Sequence, residues 1–280
     1  RFSFGAEMEF YLFEIDEHGR DTTIPHDMAG YMDIAPDDKG EHIRREICLM
    51  LEQMGIHPEC SHHESGPGQN EIDFRYSDPL TAADNAVTFR TVVRTAAAQN
   101  GLCASFSPKP LPDWDGSGMH INISAKGRGQ ADMPAGIIAG VLDKAAEITL
   151  FLNPCEESYR RLGHDKAPRY VTWSEENRSQ LIRIPAAIGE NRRAELRSAD
   201  ATANPYLAYA LLIYAGLHGL ENGLTLPPAS DINLYTAPAE TLKSLRTLPG
   251  SLAEAAALAD ASPFVRAHLP ASVIRAYTRL

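Results

Sequence analysis

An apolar run near the start of the chain carries two glutamates, and this arrangement restricts the fold more than any other sequence feature. The run spans residues 2–13 and places Glu7 and Glu9 among phenylalanine, methionine and leucine side chains. If the run forms a β-strand, side chains alternate, so both carboxylates point to one face and Met8 points to the other. Burying two neighbouring like charges costs several kcal/mol unless a cation lies between them. The run therefore predicts a strand that borders a metal site.

Two later segments repeat this alternation of polar and apolar residues. Residues 120–124 place His120, Asn122 and Ser124 on one face, and residues 193–197 place a glutamate between two arginines. A solvated face of an antiparallel sheet is the ordinary explanation for each strand taken alone. Such faces usually carry lysine and threonine, however, and these segments have no lysine. Taken together, the segments favour a polar cavity.

The candidate metal ligands come from four separate parts of the chain. A Gly-Pro-Gly turn within residues 65–69 brings two more glutamates onto adjacent strands. Carboxylates with a single imidazole suit Mg²⁺ or Mn²⁺ better than zinc. Six ligands can form two sites of three, which leaves positions open for water and phosphate oxygens. The predicted ligands are Glu7, Glu9, Glu64, Glu71, His120 and Glu195.

Arginines near these segments add the second part of the predicted chemistry. The planar guanidinium donates two hydrogen bonds at once to phosphate or carboxylate. Divalent ions with arginines around a phosphate are typical of phosphoryl transfer. The arginines in question are Arg161, Arg178, Arg183, Arg193 and Arg197.

Composition excludes several classes of partner. A formal net charge of −11 over 280 residues argues against nucleic acid and acidic membrane surfaces. The longest apolar stretch, residues 205–217, is far shorter than the roughly 20 residues of a membrane span. Four scattered cysteines without a Cys-x-x-Cys pair indicate reduced thiols in a cytoplasmic protein. No glycine-rich phosphate loop occurs, so a bound nucleotide would need another kind of site.

The periodicity predicts an α+β fold with a mostly antiparallel sheet, because strands and helices mix without regular βαβ alternation. No linker divides the sequence, so we expect one domain over residues 1–280. Residues 16–37 are expected to form a loop, and residues 116–124 a strand. The predicted helices cover residues 38–54, 80–100, 135–152 and 205–221, with short helices over 251–280.

The chain resembles the catalytic domain of glutamine synthetase, bacterial type I. The matching segments occur in family order over nearly the whole chain: 5–10, 62–71, 108–110, 116–120, 177–185, 192–197 and 203–207. The resemblance implies a curved sheet that forms a half-barrel or funnel, flanked by helices. It also implies ATP-dependent joining of glutamate and ammonia through γ-glutamyl phosphate, in a homo-oligomer of stacked hexameric rings.

The resemblance further implies a role for each candidate residue. Each metal site would take three ligands: Glu9, Glu64 and Glu71 for the first, and Glu7, His120 and Glu195 for the second. Arg178, Arg183 and Arg193 would neutralise the transferred phosphate. Glutamate would be held by Arg161, Arg197 and Gly116, next to Glu64. The nucleotide would lie near Tyr31, Glu59, Tyr76, Ser124 and Arg183.

Departures from the family pattern leave the acceptor open. Lys166 stands where ammonia-using members have a glutamate, in a loop one residue shorter, and Asp165 is the nearby carboxylate that could reach the site. The family's N-terminal β-grasp domain is absent from the sequence. Three hypotheses follow: a glutamine synthetase, a ligase that uses a polyamine or small alkylamine, or an inactive relative with a binding or structural role.

Overall fold

The computed structural model describes residues 1–127, 134–186 and 192–279. Its strands are β1 (Phe2–Ile15), β2 (Asp21–Pro25), β3 (Pro58–His63), β4 (Gln69–Phe74), β5 (Leu102–Ser105), β6 (Met119–Ala125), β7 (Trp173–Glu175), β8 (Ile182–Ile184) and β9 (Ala194–Leu196). Its helices are α1 (Glu41–Gln53), α2 (Pro79–Gln99), α3 (Ala135–Leu152), α4 (Glu156–Arg161), α5 (Pro205–Glu221), α6 (Ala239–Lys243), α7 (Leu252–Ala261), α8 (Pro263–His268) and α9 (Ala271–Thr278). Among these described helices, none has the length and apolar character to cross a membrane.

The strands of the described residues form one open sheet with the order β3-β4-β1-β6-β9-β8-β7. Strands β2 and β5 pair with the second half of β1, which β4 and β6 leave free. All pairings are antiparallel except that of β7 with β8. The structure thus confirms the predicted α+β class with a mostly antiparallel sheet.

The two faces of β1 differ as the alternation predicts. Its even-numbered side chains from Phe4 to Leu12 are almost fully buried and belong to the main hydrophobic core. Phe4 stacks on Tyr209 of α5 with 4.5 Å between ring centroids, and Phe10 meets Phe89 of α2 edge-on at 6.1 Å. The helices therefore cover this apolar face, and the carboxylates lie on the opposite one.

The long buried helices were the most predictable elements. The observed bounds of α3 and α5 agree with the predicted ranges, because long apolar runs identify buried helices. Asn204 caps α5 by accepting hydrogen bonds from the backbone N–H groups of Tyr206 and Leu207. Helix α1, in contrast, begins at Glu41 and not at residue 38. Asp38 lies before the helix, where its carboxylate accepts the N–H of Gly40 at 2.9 Å and forms a buried ion pair with Arg44.

Other element predictions were wrong. Strand β2 lies inside the segment expected to be a loop, and α4 had no counterpart in the predicted elements. The strand expected from residue 116 begins at Met119. The backbone just before Met119 makes hydrogen bonds outside the β-sheet ladder. The N–H of Ser117 donates to the carbonyl of Pro108 at 2.9 Å. The N–H of Gly118 donates to the Glu9 carboxylate at 2.8 Å.

Candidate active site

Strand register places carboxylates directly opposite one another on the open face of the sheet. In the β1–β4 pair, Glu7 lies across from Asp73, and Glu9 lies across from Glu71. On the other side of β1, Glu7 lies across from His120 in β6. Like charges directly opposite each other destabilise an antiparallel pair. We call Glu7, Glu9, Glu71 and Asp73 the carboxylate array, and its charge requires cations from elsewhere.

One cluster beside the array joins β1, β6 and β9. Glu7, His120 and Glu195 each offer a ligand atom, and these atoms lie within 4.8 Å of one another. His120 Nδ1 lies 3.2 Å from Glu7 Oε2 and 3.7 Å from Glu195 Oε1. The structure therefore brings together the three residues of the predicted second metal site.

A second cluster joins β3, β4 and the turn between them. It contains His62, Glu64 and Glu71, whose ligand atoms also lie within 4.8 Å of one another. His62 Nε2 lies 3.2 Å from Glu64 Oε1 and 3.6 Å from Glu71 Oε2. Glu9, the remaining predicted ligand of this site, instead accepts hydrogen bonds from Gly118 N at 2.8 Å and Gln69 Nε2 at 3.2 Å.

Both clusters open into a cavity of about 240 Å³. The predicted site residues that line it are Glu7, Glu9, Tyr31, Glu64, Glu71, Gly116, His120, Arg161, Arg178, Arg183 and Arg197. Five other predicted residues do not line it: Glu59, Tyr76, Ser124, Arg193 and the fully buried Glu195. Of these, Ser124 donates to the carbonyl of Arg192 at 3.3 Å, and Arg193 Nε donates to Asn122 Oδ1 at 2.8 Å.

Guanidinium groups surround Glu195 at the other end of the cavity. The Glu195 side chain is fully buried, and Arg183 lies opposite it in the β8–β9 register. Arg183 Nε donates to Glu195 Oε2 at 2.6 Å, and Arg197 Nη1 donates to Oε1 at 2.6 Å. Arg161, at the end of α4, is also buried and donates to the carbonyl of Ser198 at 2.9 Å. We call this group the arginine end of the cavity.

Gly116 has a steric reason to lack a side chain. A Cβ atom there would collide with the carbonyl oxygen of Pro108 and lie 2.9 Å from Arg161 Cγ. The backbone of this segment therefore passes against the stem of Arg161 at a distance that only glycine permits. This close approach fixes Arg161 against the cavity wall.

The carboxylate array carries charge that the surrounding protein neutralises only in part. Burial and the nearby charge of Glu7 raise the pKa of Asp73 to about 7. Burial, together with the charges of Asp73 and Glu9, holds the pKa of Glu71 well above its usual range. Burial would also raise the pKa of Glu7, but hydrogen bonding to His120 and the charge of His120 lower it to about 2. The donor set and this excess of negative charge fit hard divalent cations.

A buried ionic network supports the turn that carries Glu64. His63 Nε2 lies 2.9 Å from Asp27 Oδ1, and the same oxygen accepts the N–H of Gly68 at 2.9 Å. Gly68 adopts a φ of +67°, a conformation that glycine favours over other residues. Asp38 lies near this pair but is bound by Arg44. Because protein groups already bind these carboxylates, we regard the network as structural.

A lysine enters the cavity from a loop, although the strands themselves contribute none. Lys166 Nζ lies 3.5 Å from Glu64 Oε2 and 3.3 Å from Asp115 Oδ2. Asp165, the carboxylate expected to replace the missing loop glutamate, does not line the cavity. Its carboxylate instead pairs with Lys109 Nζ at 2.6 Å.

Asp73 and His62 lie in the site but are not among the residues predicted from sequence. Asp73 lies two positions after Glu71, so alternation along β4 puts both on one face. His62 lies two positions before Glu64 and opposite Glu71 in the β3–β4 register. Strand alternation was thus a sufficient signal for both residues, once the strand bounds were known.

Comparisons with known proteins agree with this geometry. The model of the protein family described as "Glutamine synthetase, catalytic domain" matches residues 1–280. A glutamine synthetase of Clostridium saccharobutylicum is 45% identical over 267 residues, which is 90% of this chain and 60% of that protein. The chain therefore spans less than two thirds of that relative.

Solved structures show the same architecture. A structure of GmaS in complex with ADP superposes with a TM-score of 0.86 at 28% identity, over 99% of this chain and 67% of that one. A cryo-EM structure of Plasmodium falciparum glutamine synthetase shares the fold, with a TM-score of 0.81 at 21% identity, over 99% and 71% of the two chains. With the family description matching its full length, the chain belongs to the glutamine synthetase family.

Proposed function

We propose that the chain is the catalytic part of an ATP-dependent ligase that joins ammonia to the γ-carboxylate of L-glutamate. The products would be glutamine, ADP and phosphate, with γ-glutamyl phosphate as the intermediate. One observation carries the proposal: a single cavity is lined by residues of two carboxylate–imidazole clusters and by buried arginines, and Glu195 joins one cluster to the arginines. Membership of the glutamine synthetase family supports the same reaction.

The two clusters are the groups that would hold Mg²⁺ or Mn²⁺. Glu7, His120 and Glu195 supply one complete set of three ligands, and Glu64 and Glu71 supply most of the other. Either His62 or Glu9 completes the second set, since both lie beside Glu71. Divalent ions bound there would neutralise phosphate charge during transfer.

The first chemical step would be transfer of the γ-phosphoryl group. A glutamate γ-carboxylate oxygen forms a bond to phosphorus, and the bond to the ADP oxygen breaks. Arg178 and Arg183 line the cavity and would stabilise the negative charge that develops on the transferred group. We assign Arg193 to the same role from the resemblance, although it lies outside the cavity lining.

Glutamate itself would lie against the arginine end of the cavity. Arg161 and Arg197 are buried there, with Gly116 forming the adjacent wall. Arg197 Nε is a buried donor without a hydrogen-bond partner among the described residues, so it can donate to a substrate carboxylate. Tyr31 lies at the cavity edge, where we place the nucleotide, and Glu59, Tyr76 and Ser124 would lie farther along it.

The second step would be attack of the amine on the acyl phosphate. The nitrogen forms a bond to the carbonyl carbon, the carbon–oxygen bond to phosphate breaks, and the nitrogen loses a proton. Glu64 and Asp115 are carboxylates on the cavity wall that can accept this proton. The chain therefore offers a proton acceptor on the same wall as the metal ligands.

A second candidate differs only in the acceptor. Lys166 fills the space between Glu64 and Asp115, and a changed acceptor site favours a ligase that uses a polyamine or small alkylamine. An inactive relative is the third hypothesis. The presence of both ligand clusters and of the buried arginines argues against it.

One assay separates these hypotheses. The full-length protein is incubated with ATP, glutamate and Mg²⁺ or Mn²⁺, and phosphate release is measured with ammonium and with a panel of amines. Release that depends on ammonium supports the proposal, and release with amines alone supports the second candidate. No release under any condition would contradict both. Light scattering on the same sample tests the expected oligomer of stacked hexameric rings.

A further inference from the structure

Lys166 is enclosed on several sides by groups that bind cations. Its Nζ atom lies 3.5 Å from Glu64 Oε2, 3.3 Å from Asp115 Oδ2 and 5.0 Å from the centre of the Tyr31 ring. It also donates a hydrogen bond to the hydroxyl of Ser65. We call Glu64, Ser65, Asp115 and Tyr31 the cation cage.

The composition of the cation cage defines the ligand that it recognises. Two carboxylates and a hydroxyl accept the hydrogens of an ammonium group, and an aromatic face attracts its charge. A compact primary ammonium with three donors matches these partners better than a planar guanidinium does. The same groups would bind a free ammonium ion or a small alkylammonium ion if Lys166 were absent.

The loop that carries Lys166 is held by one contact to another segment and by one hydrogen bond within the loop. Lys109 Nζ pairs with Asp165 at 2.6 Å and donates to the carbonyl of Trp114 at 2.5 Å. This contact ties the loop to the segment that contains Asp115. On the other side, the N–H of Ala167 donates to the carbonyl of His164 at 3.0 Å. These bonds hold the lysine stem over the cavity.

Other charged groups of the cavity are arranged differently. Among the described residues, Lys166 is the only lysine or arginine that forms an ion pair with Glu64 or Asp115. Arg183 and Arg197 are bound to Glu195 at the far end. One ammonium group from one loop therefore offsets part of the charge of the two carboxylates, and His62 is the other basic partner of Glu64, at 3.2 Å.

We infer that Lys166 determines acceptor specificity, because its own ammonium group fills the cage that a free ammonium or alkylammonium ion would otherwise occupy. The consequence for catalysis rests on the proposed function, whereas occupancy of the cage does not. In the wild-type protein the acceptor must reach the acyl phosphate without binding in this cage. Truncating Lys166 opens the cage to small ammonium ions.

The first test measures binding without catalysis. Thermal unfolding of full-length wild-type protein, Lys166→Ala and Lys166→Arg is followed in ammonium chloride or methylammonium chloride, with tetramethylammonium chloride at equal ionic strength as reference. Lys166→Ala should gain a Tm increase in the first two salts that exceeds the reference, because an ion that binds the folded state stabilises it. Wild type and Lys166→Arg should show no such excess. An equal response of all three proteins would overturn the inference.

The second test measures phosphate release against acceptor concentration. In Lys166→Ala the KM for the acceptor should fall by up to about fivefold, as expected when a partly exposed competing ion pair is removed. Ammonium and methylamine are titrated separately, and the larger fall identifies the ion that the opened cage prefers. The KM values for ATP and glutamate are measured in parallel, because Lys166 also contacts Tyr31 and Glu64, which lie in the predicted nucleotide and glutamate sites. The specificity role requires a fall in the acceptor KM that exceeds any change in these two values. Lys243→Ala, which removes an exposed lysine paired with Glu240, is the matched control.

The two tests separate the failures of the two proposals. If wild-type protein releases no phosphate with any acceptor, the proposed function fails, and the thermal test still decides whether Lys166 fills the cage. If wild type is active but Lys166→Ala leaves the acceptor KM unchanged or raises it, the specificity role is refuted. The Tm of Lys166→Ala could also be lower than that of wild type in every salt, with no increase specific to ammonium ions. That result would show that Lys166 only stabilises its loop, and it would also refute the inference.

Discussion

The arginine end and the carboxylate array differ in whether protein cations bind their buried carboxylates. At the arginine end, Glu195 is fully buried and bound by both Arg183 and Arg197. In the carboxylate array, Asp73 Oδ1 is buried without a hydrogen-bond partner among the described residues, and its neighbours are further carboxylates. The same sheet thus holds one carboxylate that protein cations satisfy and several that they do not.

This difference indicates which groups of the site bind cations and which bind anions. A buried charge is stable only when it is paired, so the array requires cations that the chain does not supply. Arginines can donate to an anionic ligand while also holding Glu195 in place. We therefore propose that the two carboxylate–imidazole clusters bind metal and that the arginine end binds the anionic ligand, with Glu195 belonging to both groups.

The largest expected effect comes from breaking this link. Glu195→Ala removes a predicted metal ligand and leaves Arg183 and Arg197 without their shared carboxylate. Phosphate release should fall by about 10²–10³-fold, as is typical when a charge-stabilising group is lost. Glu240→Ala, at an exposed ion pair, serves as the control. Wild-type turnover by purified Glu195→Ala would refute the assignment.

Neutralising the array should weaken metal binding by a smaller amount. Glu71→Gln keeps the shape of the side chain but removes one charge from the cluster with His62 and Glu64. We expect Mn²⁺ affinity to fall by about 10–100-fold, similar to the effect of altering groups that support metal ligands. Electron paramagnetic resonance of free Mn²⁺ measures this directly. Affinity within twofold of wild type would exclude Glu71 as a ligand.

Removing metal should make the stability of the protein depend on pH. The pKa of Asp73 is raised from 3.8 to about 7, so the folded state holds a proton that the unfolded state has lost. Stability should therefore fall as pH rises from about 4 to 7, by up to about 4 kcal/mol. The lowered pKa of Glu7 acts mainly below this range, since its stabilisation is lost only as pH falls towards about 2.

Chemical denaturation in chelator, at pH 5 and pH 8, measures this dependence. Asp73→Asn should reduce the difference between the two pH values, and added Mn²⁺ or Mg²⁺ should raise stability most at pH 8. A metal-free protein that is equally stable at both pH values would show that the array is not strained by its charge.

The smallest effect is expected at an exposed ion pair, outside the comparison of buried carboxylates. Lys243 pairs with Glu240 at 2.7 Å, and both side chains are mostly exposed. Lys243→Ala should change the free energy of unfolding by less than about 0.5 kcal/mol, because surface ion pairs contribute little. Urea denaturation measures it. A larger loss of unfolding free energy would mean that burial does not determine how much an ion pair stabilises this protein.

Strand alternation made much of this site predictable from sequence. It placed Glu7 and Glu9 on one face and predicted that polar residues of β6 and β9 would face a common cavity. The apolar runs that form α3 and α5 were equally clear. A helix that is buried on most sides is apolar around most of its surface, so the sequence identifies it without knowledge of the elements that pack against it.

Features set by tertiary contacts could not be predicted in the same way. The charge of Asp73 matters because register places it opposite Glu7, and a single sequence does not reveal register. Asp38 precedes α1 and binds Arg44 of that helix in a buried ion pair, a contact that the sequence pattern does not reveal. The position of Lys166 likewise depends on a loop that is tied to a distant segment through Lys109.

The long first strand has a consequence for how the protein reaches its native state. Phe2 pairs with Ala125 across β1 and β6, and Asn122 pairs with Glu195 across β6 and β9. Bringing such remote stretches together requires closure of very large loops, which slows folding in proteins dominated by nonlocal contacts. We therefore expect Glu7 to approach His120 and Glu195 only after these long-range pairings have formed, so that the site assembles together with the sheet.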